Sequence, residues 1–266
     1  MGRIVIAEPS LGDAAVLRAA AGADALPVGN LQTQQPGEAW RSTAVAGDAV
    51  EADLGAAAEV DLIALLYTNA ASAATWRVRA AAVQPDLVAA PGYDSGSLPV
   101  WPAAGLETWP FVHAILWLGA AVQSFRWWRV DYADLGNPDG YLQAGRLYIA
   151  KAWQPSRNRR RGLSLGFQDL SPRERTRGGQ LYPLALPRTR VLSFALGFLS
   201  EAEMYANAFE LDRLRGRSGD LLVIPDPDKP AQIQRQAVYG LQAELTPIVD
   251  PAHEVFETAF TVEEQI

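Results

Sequence analysis

The chain has no cysteine, only two histidines and two methionines, and no apolar run long enough to span a bilayer. Each absence excludes something. Without cysteine there is no disulfide framework, no thiol nucleophile and no cysteine-ligated zinc, so stability has to come from packing or from association. The longest apolar stretches, such as Val112 to Val122, are broken by His113 and Gly119 and fall short of a membrane span. The start, MGRIVIAEPSLGDAA, lacks the basic flank, unbroken apolar stretch and cleavage site of a secretory signal, which predicts a protein made and kept in the cytosol until assembled or released. A formal charge of −7 supplies no general basic face for phosphate, so nucleic-acid specificity is not expected.

One absence is local. All eight tryptophans lie within residues 1–153, and that part carries 9 basic and 15 acidic groups against 14 and 15 in residues 154–266. Two building plans meet near Gln154. With 266 residues, 49% of them hydrophobic, each plan has material for a core of its own.

The first plan reads as short apolar or alternating runs punctuated by Gly, Pro, Asn and Asp, the pattern of an all-β sandwich or jelly roll. The runs are Ala49 to Leu54, Asp61 to Tyr67, Ala74 to Ala81, Ile115 to Leu118, Arg126 to Tyr132 and Leu142 to Ala150. Helix is the rival reading at Asp13 to Ala25. Within Ser124 to Pro155, two strands flank an Asn137-Pro138-Asp139-Gly140 corner and read as a closing hairpin, with bulky groups on both faces of the first strand. Five prolines make Gln84 to Pro110 a long irregular excursion.

The second plan opens with an arginine-rich passage, residues 156–180, where Arg157, Arg159, Arg160, Arg161, Arg173, Arg175 and Arg177 face only Asp169 and Glu174. It reads as a linker or extended arm, and its arginines are candidate assembly contacts because guanidinium grips carboxylates in bidentate fashion. Residues 181–266 then alternate as strands around a single helix over about 200–215. Leu192, Phe194, Leu196 and Phe198 form one strand face, and Ser200 with Glu203 forms a capping box. Met204, Ala208 and Leu211 make the helix stripe, widened by Tyr205 and Leu214, and Gly216 offers the stop.

A search for chemistry finds no catalytic constellation and no metal set, and nothing calls for a cofactor. His113 sits in a Pro/Phe/Val context and reads as a packed or capping histidine, and His253 lies in a Pro-Ala-His turn. Asp226 and Asp228 are too few for a dedicated cation site. Gly178 and Gly179 lack the strand, Lys and Ser or Thr of a phosphate loop. Trp76, Trp127 and Trp128 stand in alternating strands and read as core or inter-sheet packing. Tyr93, Trp101 and Trp109, on the proline-rich excursion, are the better candidates for stacking on a glycan.

The segments WRS at Trp40 to Ser42, VEADLG at Val50 to Gly55, TWRVRA, and the closing run from Phe125 to Pro155 resemble the discoidin, or galactose-binding-like, jelly roll in the form found in tailed-phage structural proteins. That resemblance implies an eight-stranded sandwich over residues 1–155, whose loop end binds glycans in some relatives. The order RVLSFALGFL, SEAEMYANAFELDRL, LLVIPDPD and VYGLQAEL resembles the β-plus-helix domain of siphophage distal tail proteins. It implies a ring of copies, for which the resemblance suggests six, at the end of a tail tube, with hub and fibre proteins as neighbours. The function implied is that of a non-enzymatic virion structural protein of the tail tip or baseplate, made in the host bacterial cytoplasm. The alternative is a carbohydrate-binding module that adsorbs the particle to cell-surface glycans.

Overall fold

The computed structural model describes residues 2–8, 10–252 and 254–266. It is mainly β, in two units: residues 1–154 with 224–237, and residues 155–223 with 238–266.

The first unit is a jelly-roll sandwich of two antiparallel layers. One layer runs Val16–Ala19, Asp48–Val60, Gln123–Ala133, Thr75–Ala81 and Tyr93–Asp94, with Leu98–Pro99 also on Thr75–Ala81. The other holds Arg146–Ala150, Leu62–Thr68 and Val112–Trp117, beside the pair Trp40–Ser42 and Leu142–Ala144. Period-2 alternation decides what lies between them: Val50, Ala52, Trp76, Val78, Trp128, Val130 and Tyr132 point inward and meet Ile63, Leu65, Ala114, Leu147 and Ile149. Strands Leu62–Thr68 and Arg146–Ala150 are buried on both faces. Tyr148 Oη donates to Ala7 O at 2.9 Å, and the His113 N–H donates to Gln234 Oε1 at 2.8 Å, so residues 4–7 and 224–237 both reach this layer.

The Ser124 to Pro155 segment is not a hairpin. Gln123–Ala133 pairs with Asp48–Val60 and Thr75–Ala81, whereas Arg146–Ala150 pairs with Leu62–Thr68 in the opposite layer. The Asn137 corner does form, with Gly140 N–H on Asn137 O at 3.2 Å and Gly140 at φ 74°. Its flanks carry the chain from one sheet to the other. The long second run is likewise split into Leu142–Ala144 and Arg146–Ala150 at Gly145, where a Cβ would stand 2.6 Å from Pro36 O. The helix reading of Asp13 to Ala25 is overturned by a short 3₁₀ turn, Leu11–Ala14, and the strand Val16–Ala19. Alanine supplied helix propensity there, but edge pairing with Asp48–Val60 decided the backbone.

The second unit orders its antiparallel strands Asp220–Ile224, Val238–Gln242, Val255–Glu264, Arg188–Leu199 and Ser164–Asp169. Leu192, Phe194, Leu196, Phe260 and Val262 fill its core, with the Phe194 and Phe260 rings stacked at 5.3 Å. Phe198, expected on that face, is instead 64% exposed at φ 61°, because a bulge between Leu196 and Leu199 shifts the register and buries Leu199. The single long helix spans 201–215. Ser200 Oγ caps Glu203 N–H at 3.3 Å, and Gly216 ends it at φ 51°. Met204, Ala208 and Leu211 are its buried stripe, while Tyr205 and Leu214 face solvent. In its middle, Met204–Phe209 widen into a π-type turn.

Candidate functional site

The alternation that buries Trp128, Val130 and Tyr132 also sends Trp127, Arg129 and Asp131 to the outer face of the first layer. Cross-strand register then sets them beside Glu51, Asp53, Arg77 and Arg79. The result is a face of paired charges. Asp131 accepts from Arg79 at 2.7 and 2.8 Å and from Arg129 at 2.9 Å, and Arg129 reaches Glu51 at 2.7 Å. Arg126 grips Asp53 at 2.6 and 2.8 Å, and Arg77 grips Asp94. The Arg126 bonds hold the Asp53 carboxyl down at about 2, and the Arg77 bonds hold Asp94 down at about 2.

This face is hollowed into an open groove of about 600 Å³ that runs to the strand ends at Gly47–Ala49, Thr75–Arg77 and Asp131–Ala133. Arg18 lines it and differs from its neighbours. Its guanidinium lies 5.8 Å from the centre of the Trp127 ring, which Arg126 approaches at 5.4 Å, and it makes no ion pair among the described residues. Burial pushes up the hydroxyl pKa of Tyr132, a second lining residue. The groove thus combines an available guanidinium, adjoined by the Trp127 indole, with several fixed carboxylates, a donor and acceptor set suited to a polyhydroxylated ligand.

The aromatics singled out by sequence do not form one platform. Tyr93 pairs opposite Ala80 and packs toward Trp128 at 6.4 Å, and burial raises its hydroxyl pKa. Trp101 follows Pro99, which pairs with Thr75 at the other end of the same strand, and its Nε1 donates to Ala70 O at 2.8 Å. Both, like Trp109, pack partly buried against the sandwich core. The strand separation between Ala80 and Thr75, roughly 17 Å at 3.3 Å per residue, keeps Tyr93 and Trp101 from sharing one sugar ring. Sequence reasoning assigned Trp127 to packing. Its offset of one residue from the inward-facing Trp128 and five from Tyr132, odd in both cases, was the available signal.

His113 is buried, and its Nδ1 accepts the Tyr67 N–H at 3.0 Å, where Tyr67 stands at φ 57° in a strand irregularity. His253 lies outside the described residues. Asp226 accepts from Gly2 N–H at 2.8 Å and pairs with Lys229 at 3.1 Å. Among the described residues no group of three or more His, Asp or Glu side chains stands ready to hold a metal ion.

The arginines of 156–180 are spread over distinct structures. Arg160 pairs with Glu257 and lies 5.7 Å from the Phe198 ring, Arg159 contacts the Arg160 carbonyl, and Arg175 donates to Gly179 O at 2.8 Å. Arg157, Arg161, Arg173 and Arg177 make no ion pair among the described residues. The passage also contains the edge strand Ser164–Asp169 and half of a hairpin, Arg173–Arg175 with Leu181–Pro183.

No protein-family model matches the chain, and no curated protein matches it. Among solved structures it is similar to chitosan-binding module 1 from the chitosanase/glucanase of Paenibacillus sp. IK-5, at 12% identity and TM-score 0.40, over 54% of this chain and 100% of that one. It is similar to CpGH89CBM32-5 from Clostridium perfringens, in complex with GalNAc-β-1,3-galactose, at 8% identity and TM-score 0.39, over 54% and 100%. A Ruminococcus gnavus GH29 fucosidase in complex with fucose is similar at 9% identity and TM-score 0.41, over 55% of this chain and only 27% of the enzyme.

Proposed function

We propose that the chain is a non-enzymatic recognition protein whose sandwich binds a cell-surface glycan in the outer-face groove. The observation that carries this reading is Arg18, which lines the groove without an ion pair among the described residues and lies 5.8 Å from the adjoining Trp127 ring, while the groove's other charged groups are already fixed in place. Stacking by such a ring contributes about 1 kcal/mol beyond its buried area, and the fixed carboxylates and guanidiniums accept and donate to hydroxyls without reorganising.

A glycan array followed by calorimetry tests it, with chitosan oligosaccharides, fucose and GalNAc-β-1,3-galactose among the probes. Trp127→Ala is expected to weaken binding about tenfold, the equivalent of roughly 1.4 kcal/mol, and Arg18→Ala comparably. Trp101→Ala leaves binding unchanged. The reverse pattern would move the site to the loop end, and an array with no binder at all would refute the reading. Turnover abolished by a single carboxylate change would overturn the non-enzymatic assignment.

A second reading, in which the chain is a structural subunit of a phage tail tip or baseplate, is favoured by the exposed arm. Every residue from 172 to 188 is exposed, apolar ones included, which suits a segment that is covered only in an assembly. The two roles are compatible in one virion protein that displays a glycan-binding sandwich. Density for the chain at the end of a tail tube supports the second reading, and a strictly monomeric, independently secreted protein sinks it.

A further inference from the structure

The second unit carries two exposed apolar surfaces of unlike shape. One projects: the hairpin Arg173–Arg175 with Leu181–Pro183, closed by a turn in which Gly179 stands at φ 87°. Leu181, Tyr182, Leu184 and Leu186 are all solvent-facing along it, Leu184 at 65% exposure. The other is concave: an open groove of about 920 Å³ lined by Tyr205, Phe209, Leu245, Pro247, Ile248 and Phe256. The π-type turn presents Tyr205 and Phe209 to it, edge to face at 6.0 Å. Exposed aromatic pairs on a widened helical turn are unfavourable in water and mark a surface meant to be covered.

Charge distinguishes the two surfaces as well. Register places Arg173 and Arg175 on the same face of the hairpin as Leu181 and Pro183, with Arg177 at the turn and only Glu174 opposing them. Asp212 and Asp250 line the groove. Its one arginine, Arg213, is already held by Glu210 at 3.0 and 3.1 Å. Burial raises the Asp212 carboxyl, a desolvated anion that an incoming guanidinium would favour. A positively charged arm on a chain of net charge −7 has its complement in further copies of that chain.

We infer that the hairpin of one copy seats in the Tyr205–Phe209 groove of a second copy, with Leu181 against the aromatic wall and Arg173 and Arg175, on the same face, toward Asp212 and Asp250. Because the two halves of this contact are different surfaces, it is heterologous, and repeating it closes a ring or extends a filament. The inference rests on the assembly reading and gives it an interface.

Sedimentation velocity over a concentration series tests it with two variants. Leu181→Asp disables the hairpin and spares the groove; Phe209→Asp disables the groove and spares the hairpin. Wild type is expected to form oligomers, and each variant alone to remain monomeric with an unchanged circular dichroism spectrum. Mixed in equal amounts, the variants form 1:1 dimers and nothing larger, since one intact hairpin meets one intact groove. A wild type that stays monomeric throughout overturns the assembly reading together with this inference. Oligomers that survive either variant overturn only the inference. Loss in both variants without dimers on mixing identifies a symmetric contact and overturns the heterologous seating. Arg173→Ala/Arg177→Ala, which removes no buried atom, is expected to weaken association and its salt dependence together.

Discussion

Arginine is used in opposite ways on the outer face of the sandwich and on the arm of the second unit. On the sheet face Arg77, Arg79, Arg126 and Arg129 each meet a carboxylate, and Asp131 serves two of them. On the arm Arg157, Arg161, Arg173 and Arg177 have no carboxylate among the described residues. The difference is one of register. Neighbouring strands hold side chains about 5 Å apart on a shared face, so a sheet that alternates signs pairs them within the chain. A two-stranded hairpin has no third strand to supply the opposite sign. Arginines of the first kind fix a surface, and those of the second are available to a partner.

The largest effect is expected where the pairing is densest. Asp131→Ala strands Arg79, which is nearly buried, and leaves Arg129 with Glu51 alone. Breaking a buried pair costs 3–5 kcal/mol, and because Asp131 keeps 28% of its side chain in solvent, a loss of about 2–3 kcal/mol is expected. Urea denaturation reads it directly. A loss below about 0.5 kcal/mol would place this network among ordinary surface ion pairs and remove the contrast with the arm.

Acid titration gives a smaller and sharper effect. Asp53 and Asp94 titrate at about 2, below the ordinary aspartate range, because Arg126 and Arg77 bond their charged forms. Depressed carboxyl values give stability that is fully present above the unfolded aspartate range and lost as pH falls through about 2. Carboxyl carbon shifts followed by NMR should therefore show both midpoints far below an unpaired aspartate. Arg126→Ala returns Asp53 to the ordinary range. Asp169, at the base of the arm, also stands at about 2, but there the Ser171 bonds come first and Arg188 after them. Removing Arg173 should leave it unmoved.

Much of this was legible in the residues. The alternation of Arg126 to Tyr132 predicted which side chains enter the core, and Ser200, Met204, Ala208, Leu211 and Gly216 predicted the helix, its buried stripe and its end. What was not legible was partner choice. The Asn137 corner looks the same whether its flanks pair with each other or cross between layers, because local turn chemistry says nothing about which distant strand competes for the edge. The same holds for Phe198, whose alternation ends at a bulge set by the register of Val255–Glu264. Trp127 reads as packing because, like Trp76 and Trp128, it stands in an alternating strand. One residue of offset in a strand separates a core indole from a surface one.

The smallest effect tests the arm's side of the comparison. Arg173→Ala and Arg177→Ala remove exposed guanidiniums that hold no carboxylate, so folding stability should stay within about 0.5 kcal/mol of wild type, with overlaid urea midpoints. Association should respond where stability does not. In wild type, raising salt shortens the Debye length from about 10 Å at 0.1 M to about 3 Å at 1 M and should weaken self-association; in the double variant that sensitivity should be reduced. A destabilisation above about 1 kcal/mol in either single variant would mean that the arm's arginines stabilise the fold like those of the sheet face, and the distinction between fixed and available arginines would fall.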